Sequence, residues 1–339
     1  MLKTLKWIAL ALVVLVLVGV PAVVGVRPFL GPRARTLTNR RFEPTQARLE
    51  RGRYLSTTAQ APCVLCHSPW DITGGGLTEV PGREFTGRNW AADGVAFVTA
   101  PNLTPDPETG IGDRTDDELA RAIREGISHD GRTLFPIMPY QHFRSMPDED
   151  LASVIVYLRS LKPVRNPLPP SAIPFPLGRL INGVPAPVDG PVTADLSAPE
   201  KRGAHIVEIA ACSECHSARD ERGNKVKGFA FAGGTEVSYE GRKTIYTANI
   251  TPGVNGIPYY TEDLFVEVMR TGKVKARQLD AMMPTRRYRN MTDADLKDVF
   301  RYLKTLQPVD HYVNNALPPT TCAKCGLPHG GGERNKKIS

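Results

Sequence analysis

The sequence has 339 residues, of which 41% are hydrophobic and 23% charged, so it is not the sequence of a disordered chain and it is long enough for two domains. The formal net charge is +8, and eight arginines crowd residues 27–53. No aromatic-interleaved basic platform of the kind that binds single-stranded nucleic acid is evident. We therefore interpret this basic run as a solvated linker beside a membrane and expect no nucleic-acid partner.

The first predicted element is a membrane-spanning helix. Residues 7–26 are uncharged and almost wholly apolar, and 20 such residues span a hydrocarbon core. Lys3 and Lys6 precede the span. The sequence predicts an uncleaved anchor over residues 1–26 and a basic juxtamembrane linker over 27–43, with cleavage near Val20-Pro21-Ala22 as the alternative. More basic residues follow the span than precede it, whereas the positive-inside rule expects the opposite when the domain after the span is exported. We therefore base the membrane orientation on the motifs found later in the chain.

The remainder of the chain is a duplicated domain. The segment PNLTPDPETG at 101–110 matches ANITPGVNG at 248–256, and residues 137–164 match residues 282–309. The offset is 149 from His67 to His216 and 145 from Met138 to Met283, which is nearly constant. We call residues 44–164 the first repeat and residues 198–309 the second repeat. A repeat of this length indicates two copies of one domain.

Each repeat is predicted to be mainly helical, without strands. A leading helix covers 44–56 or 198–211, a middle helix 115–126 or 261–272, and a last helix ends near Leu161 or Leu306. Thr115 and Glu118 fit a capping box, and Gly126 and Gly272 fit helix stops. Residues 165–197 between the repeats are proline-rich, which predicts an extended connector whose apolar residues lie on domain surfaces. Residues 310–339 form a C-terminal tail.

Each repeat contains one Cys-x-x-Cys-His pentad, at residues 63–67 and 212–216. This is the attachment signature of haem c, in which two thiols join the vinyl groups of a porphyrin and the histidine ligates the iron. A zinc site would need further ligands at suitable spacing in each repeat, and a thioredoxin-like pair would need a βαβ frame. The pentads therefore predict two covalent haems c, attached through Cys63, Cys66, Cys212 and Cys215, with His67 and His216 as iron ligands.

Methionine is the predicted ligand on the other face of each iron. Met138 and Met283 occupy equivalent positions before a proline, in a loop ahead of the last helix. A thioether there can reach a haem without breaking a helical hydrogen-bond ladder. Met282 is the neighbouring alternative to Met283. A second repeated pair, Met146 and Met291, stands where the last helix begins, and we expect it to pack against the first turn of that helix.

Both repeats resemble class I c-type cytochrome domains. The chain is similar to the multihaem cytochrome subunits of membrane-bound bacterial alcohol and gluconate dehydrogenases, through ERGRYL, CVLCHS, PNLTPDPETGIG and MPYQHFRSMPDEDLASVIVYLRSL in the first repeat and their counterparts in the second. The resemblance implies a mainly α fold of two tandem cytochrome domains behind the N-terminal helix. It also implies axial ligation by His67, Met138, His216 and Met283.

The resemblance further implies a close crossing of the leading and last helices, with Gly52 against Tyr157 and Gly203 against Tyr302. A missing side chain at the glycine lets two helices approach closely. We also expect the carbonyl of Pro105 or of Pro252 to accept a hydrogen bond from the haem histidine of its repeat and so to orient the ring.

A third cysteine pair, Cys322 and Cys325, departs from the three-haem subunits. Gly326 replaces the histidine, and only 14 residues follow Cys325, so this pair is not a haem site. With His329 the segment offers at most three metal ligands. We interpret the pair as a disulfide or as unused thiols in an oxidising compartment, and a metal site completed by a partner is the alternative.

The function implied is electron transfer through two six-coordinate haems. The resemblance implies haem domains in the periplasm, anchored to the cytoplasmic membrane of a bacterium. Electrons would pass from a dehydrogenase or quinol-oxidising complex to a terminal acceptor such as an oxidase. The alternatives are a peroxidase-like dihaem enzyme with one open iron, for which His129 or His142 would be a different ligand, and a fixed subunit of a larger respiratory complex.

Overall fold

The computed structural model describes residues 2–72, 78–92, 96–238 and 243–336. The chain divides into two compact units. The first contains residues 1–52, 66–69 and 79–192, and the second contains residues 53–65, 70–78 and 193–339. The domain boundaries drawn from the repeat remain predictions.

The N-terminal segment forms one long helix over Leu2–Val24. Within the described ranges, its residues Thr4–Val24 are the one helix long and apolar enough to cross a membrane, and none of that stretch is buried against the protein. A short helix, Arg27–Leu30, follows. Length and composition thus agree with the expected anchor.

The three helices predicted in each repeat are present. They are Gln46–Thr57, Asp116–Glu125 and Asp148–Arg159 in the first repeat, and Pro199–Ile209, Glu262–Thr271 and Asp293–Thr305 in the second. Short helices stand at the cysteine pairs and after the Met-Pro dipeptides: Cys63–Cys66, Cys212–His216, Tyr140–Phe143 and Thr285–Tyr288. The prediction of a mainly α protein is confirmed.

The capping signals read from the sequence are confirmed at the middle helices. The Thr115 hydroxyl accepts a hydrogen bond from the Glu118 amide at 3.2 Å, and the Glu118 carboxylate accepts one from the Thr115 amide at 2.7 Å. Gly126 and Gly272 end these helices in the left-handed conformation, with φ of 71° and 70°. A side chain would be strained at either glycine.

The leading and last helices cross as closely as expected in both repeats. A Cβ on Gly52 would stand 1.9 Å from the carbonyl oxygen of Ser153 and 2.7 Å from the Cβ of Tyr157. A Cβ on Gly203 would meet the oxygen of Asp298 at 1.9 Å and the Cβ of Tyr302 at 2.9 Å. No rotamer change relieves a clash with a backbone atom, so only glycine fits at either crossing.

The expectation of no strands is wrong. Arg88–Ala92 pairs with Ala96–Ala100 as an antiparallel hairpin in the first repeat. Four alanines weaken the β propensity of these two segments, so the pattern is weak in the sequence. The other strands have two or three residues each: Trp70–Asp71, Thr78–Glu79, Glu236–Val237, Ile245–Tyr246, Lys273–Val274, Arg277–Gln278, Pro319–Thr321 and Pro328–Gly330.

Residues 165–192 of the proline-rich connector belong to the first unit, and the apolar Phe175 and Leu180 within them are 86% and 43% exposed. Ala172 and Phe97 exchange two backbone hydrogen bonds of 2.8 and 3.0 Å, and the Thr99 amide donates to the Ser171 hydroxyl at 2.9 Å. The connector then forms a helical turn over Leu177–Leu180 and a 3-10 turn over Ile181–Gly183.

The interpretation of the basic run as a solvated linker is wrong for Arg35. Its guanidinium contacts the Asp117 carboxylate at 2.7 and 2.8 Å and Glu125 at 2.7 Å. The Arg35 side chain is only 12% exposed, and Asp117 is fully buried. The residues after the anchor are therefore fastened to the middle helix of the first repeat. The burial of Arg35 is explained by its pairing with the buried Asp117 carboxylate, 82 residues further along the chain. A pattern in the sequence around Arg35 does not reveal so distant a partner.

The core of the second unit lies between its helices. Buried side chains of the leading, middle and last helices pack together there, with Met291 among them. The principal members are Ile206, Val207, Phe265, Val268, Leu296, Val299, Phe300 and Leu303.

Candidate haem-attachment sites

The two pentad histidines have the same hydrogen-bond partner in both repeats. The Nδ1 atom of His67 lies 2.8 Å from the carbonyl oxygen of Pro101, and Nδ1 of His216 lies 2.8 Å from that of Ala248. A carbonyl oxygen only accepts, so Nδ1 carries the proton and Nε2 presents its lone pair. This tautomer is the one that ligates a metal through Nε2.

The expectation that Pro105 or Pro252 supplies this carbonyl is wrong. The accepting carbonyl belongs to the residue four positions earlier, and in the second repeat that residue is Ala248. The intervening asparagine forms a tight turn, because Asn102 Oδ1 accepts hydrogen bonds from the amide and the hydroxyl of Thr104. Any residue provides a backbone carbonyl, so residue type carries no signal for this role.

Burial favours the neutral form of both histidines. It lowers the pKa of His67 to about 4, although the hydrogen bond to Pro101 opposes the shift. The pKa of His216 is lowered for the same reason and opposed in the same way by Ala248. A neutral imidazole is the form that binds iron.

The backbone of each histidine is held by a glycine that the sequence analysis missed. The amide of Gly87 donates to the His67 carbonyl at 2.7 Å, and that of Gly233 donates to the His216 carbonyl at 2.8 Å. Both glycines have positive φ, 84° and 71°. A Cβ at Gly87 would lie 2.7 Å from the Ala100 oxygen, and one at Gly233 would lie 2.4 Å from the Thr247 oxygen.

Two phenylalanines also occupy the left-handed region at equivalent positions. Phe85 has φ of 62° and Phe231 has φ of 57°, which is strained for an aromatic residue. Their amides donate to the hydroxyls of Ser68 at 3.0 Å and Ser217 at 3.1 Å. Two features of the sequence could have revealed this loop in each repeat. They are the shared Phe-x-Gly at 85–87 and 231–233 and the serine that follows each pentad.

The four pentad cysteines are free thiols on short helical turns. Residues three apart share a face of a helix, so each pair presents two thiols to the same side. Burial raises the pKa of Cys66 and of Cys212 to about 11.

The methionine pairs differ in their burial. Met146 and Met291 are buried, at 1% and 2% exposed, while their packing against the first turn of the last helix stays a prediction. Met138 and Met283 are half-buried. The backbone amide of Met138 donates to the Phe135 carbonyl at 3.1 Å, and that of Met283 donates to the Asp280 carbonyl at 3.0 Å. The prolines that follow them have similar φ and ψ angles. Met282, the alternative, is half-buried as well.

The two histidines that would be alternative ligands lie in the first repeat. His129 is exposed, with Nδ1 3.2 Å from the Ser128 hydroxyl. His142 is half-buried on the helix Tyr140–Phe143.

The donors of each repeat fit a haem c. Two thiols share a helical turn, and a neutral histidine presents Nε2 while its Nδ1 is fixed by a carbonyl. A half-buried methionine in each repeat, Met138 or Met283, could supply a soft sulfur donor of the kind found in His/Met cytochromes.

Comparisons with known proteins give the same picture. The chain is 29% identical over 282 residues to the cytochrome c subunit of a quinone-dependent alcohol dehydrogenase from Gluconobacter oxydans, covering 78% of this chain and 56% of that protein. It is 28% identical over 294 residues to the gluconate 2-dehydrogenase cytochrome c subunit of Pantoea cypripedii, covering 79% and 62%. A diheme c-type cytochrome of Cereibacter sphaeroides is 33% identical over 196 residues, covering 56% and 63%.

No protein-family model matches the chain. The chain spans 56–63% of the length of the three relatives described above. Repeated pentads, equivalent histidine geometry and these relatives agree on one class of protein. The chain is a homologue of the c-type cytochrome subunits of bacterial dehydrogenases.

Proposed function

We propose that the chain relays electrons through two haems c, each with one histidine and one methionine on its iron. The observation that carries the proposal is the matched pair of hydrogen bonds from His67 to Pro101 and from His216 to Ala248. One oriented, neutral imidazole in each repeat is what two separate haem irons require.

Each repeat holds its iron through contacts within the chain. A haem c supplies one-electron exchange at its iron. Cys63 and Cys66 attach the first porphyrin, and Cys212 and Cys215 attach the second. The carbonyls of Pro101 and Ala248 keep each imidazole in the ligating tautomer. Gly87 and Gly233 hold the backbone of each histidine, and the Nδ1 hydrogen bonds to Pro101 and Ala248 orient the rings.

Met138 and Met283 complete the coordination in this proposal. Their half-burial and matching backbone hydrogen bonds support the assignment, whereas Met146 and Met291 are enclosed by protein. Thioether ligation stabilises the ferrous iron and raises the reduction potential. If His67 and Met138 hold one iron and His216 and Met283 the other, no position would remain for a substrate to bind the metal.

Carbon monoxide binding tests this coordination. Reduced full-length protein should contain two covalent haems per chain and show no change in its spectrum when carbon monoxide is added. A six-coordinate His/Met iron has no open position for the gas. If one of two haems binds carbon monoxide, that iron is open, and the peroxidase-like alternative replaces the electron carrier.

The proposed location is the periplasmic face of a bacterial cytoplasmic membrane, with the chain anchored by its N-terminal helix. The helix Leu2–Val24 and its exposed apolar surface support the anchor. Full-length protein should remain in carbonate-washed membranes, and protease added to intact spheroplasts should remove the haem domains. Haem domains protected from the protease would place them in the cytoplasm and refute the proposed orientation.

The proposed donor is a dehydrogenase or a quinol-oxidising complex, and the acceptor is a terminal oxidase or a similar redox protein. The names of the relatives, which include a fructose dehydrogenase cytochrome subunit, support a dehydrogenase partner. Affinity purification of the detergent-solubilised chain should recover a dehydrogenase that reduces its haems when given substrate. The net charge of +8 predicts that added salt slows this transfer if the partner's docking surface is acidic.

A further inference from the structure

We infer that the C-terminal tail holds a structural zinc ion, bound by His311, Cys322, Cys325 and His329. One ligand atom from each of the four lies within 4.8 Å of the others, and all four residues are buried. No other cluster of three or more potential metal ligands occurs in the described part of the chain. The segment from Cys322 to His329 contains only three of these ligands, and His311 lies 11 residues before Cys322.

The distances suit a tetrahedral ion. Zinc lies about 2.3 Å from a thiolate sulfur and about 2.0–2.1 Å from an imidazole nitrogen, so its ligand atoms stand roughly 3.3–3.8 Å apart. The ligand atoms lie within 4.8 Å of one another and the two Nε2 atoms are 2.8 Å apart, so that arrangement needs changes of about 0.5–1.5 Å, with the Nε2 atoms separating and the widest pairs closing. Two thiolates and two neutral imidazoles around Zn²⁺ also give a site with no net charge, as burial favours.

The hydrogen bonds of the two histidines provide an independent argument. Nδ1 of His311 lies 2.9 Å from the Ala232 carbonyl oxygen, and Nδ1 of His329 lies 3.1 Å from the Gly330 carbonyl oxygen. Both Nδ1 atoms are therefore the donors. The two Nε2 lone pairs then face each other at 2.8 Å. A cation between them turns this repulsion into coordination, with each carbonyl orienting a metal-bound imidazole.

The backbone of the tail brings the two cysteines and His329 together. Strand Pro319–Thr321 pairs with Pro328–Gly330, which sets His329 beside the turn that contains both cysteines. Within that turn the Gly326 amide donates to the Cys322 carbonyl at 2.8 Å, and Gly326 has φ of 77°. Such a closed turn places two sulfurs at the spacing found in structural zinc sites.

The fourth ligand is fixed by the second repeat. Nδ2 of Asn249 donates to the His311 carbonyl at 3.1 Å, and the Phe229 ring packs edge-on against the imidazole at 5.0 Å. A Cβ on Gly234 would stand 2.8 Å from the ring of His311, so glycine makes room for it. His311 is thus held in place by residues outside the tail.

The ion would fasten the tail to the loop that supports the second haem histidine. Ala232 accepts from His311, and the next residue, Gly233, donates to the His216 carbonyl at 2.8 Å. All four positions around the metal come from protein, which is typical of structural rather than catalytic zinc. A disulfide between Cys322 and Cys325 would leave the two facing imidazoles without a common partner.

Metal analysis of the full-length, haem-loaded chain in detergent tests the inference. Cells grown with zinc should yield one zinc per chain, and X-ray absorption at the zinc edge should show two sulfurs near 2.3 Å and two nitrogens near 2.0–2.1 Å. Haem iron does not contribute at that edge. Cys325→Ser and His311→Gln should lose the zinc, whereas His205→Gln, on the helix Pro199–Ile209, should keep it.

Three results would overturn the inference. They are wild-type protein without zinc, zinc coordinated by nitrogen and oxygen only, and a disulfide between Cys322 and Cys325 in the isolated chain. If the variants do not accumulate, the zinc-edge X-ray absorption spectrum of the wild-type protein still shows whether two sulfurs and two nitrogens bind the zinc. A chelator supplies a second readout, because zinc removal should loosen the turn and expose Lys324 to trypsin. Unchanged cleavage at Lys324 after complete zinc removal would contradict the structural role.

Discussion

The Arg35 guanidinium forms two hydrogen bonds with the Asp117 carboxylate, at 2.7 and 2.8 Å, and a third with Glu125. Asp117 also accepts from the Thr38 amide at 2.6 Å. Burial opposes ionisation of Asp117, yet the hydrogen bonds from Arg35 and Thr38 keep its pKa below the usual value. The segment between the anchor and the first repeat is thereby attached to the middle helix.

Replacing Arg35 should destabilise the first repeat. In Arg35→Ala the buried carboxylates of Asp117 and Glu125 lose the guanidinium that bonds to both, while Arg40 stays 3.8 Å from Asp117. Breaking a buried ion pair typically costs about 3–5 kcal/mol, and the remaining Arg40 should keep the loss near the lower end of that range. Denaturant unfolding of the detergent-solubilised protein, followed by haem absorbance, measures the loss. Arg33→Ala is the matched control, since Arg33 is exposed. Equal stability of the two variants would show that the attachment contributes nothing.

The helix crossing in the second repeat should not tolerate a methyl group. Gly203→Ala places a Cβ 1.9 Å from the Asp298 oxygen, so the two helices must separate. Overpacking costs about 1–3 kcal/mol, and a clash with backbone belongs at or above the upper end of that range. Thermal unfolding should show a lower transition temperature. Gly183→Ala, with no atom within 4 Å of the added carbon, should behave like the wild type.

Methionine substitution should distinguish the ligand pair from the packed pair. Met138→Leu and Met283→Leu should each let one haem per chain bind carbon monoxide and should lower the potential of that haem, because the thioether is removed. Met146→Leu and Met291→Leu should leave the spectrum unchanged and cost less than about 1.5 kcal/mol, as volume-conserving core changes do. Carbon monoxide binding by Met146→Leu but not by Met138→Leu would reverse the assignment.

The capping box at the middle helix of the first repeat should be measurable. Thr115→Ala removes the acceptor of the Glu118 amide and should reduce the free energy of unfolding by about 0.5–2 kcal/mol. Glu118→Gln keeps a side-chain acceptor for the Thr115 amide and should cost less. Chemical denaturation of both variants provides the comparison. A larger loss for Glu118→Gln would contradict the role given to Thr115.

Local patterns in the sequence determined much of this protein. The pentads, the helix caps and the apolar N-terminal run each depend on residues a few positions apart, so their physical meaning can be read along the chain. The constant offset between repeats identified the duplicated domain, and the resemblance to class I cytochromes implied the close crossing of Gly52 with Tyr157 that the structure contains.

Only the tertiary structure decided the contacts made over long sequence distances. It showed that Pro101, rather than Pro105, orients His67, because a backbone carbonyl has no residue signature. It paired Arg35 with Asp117 across 82 residues. It also brought His311 to the cysteine turn of the tail. Charge pairing and metal ligation depend on the distance between side chains in space. Packing of the core sets that distance, and the number of residues between two side chains does not reveal it.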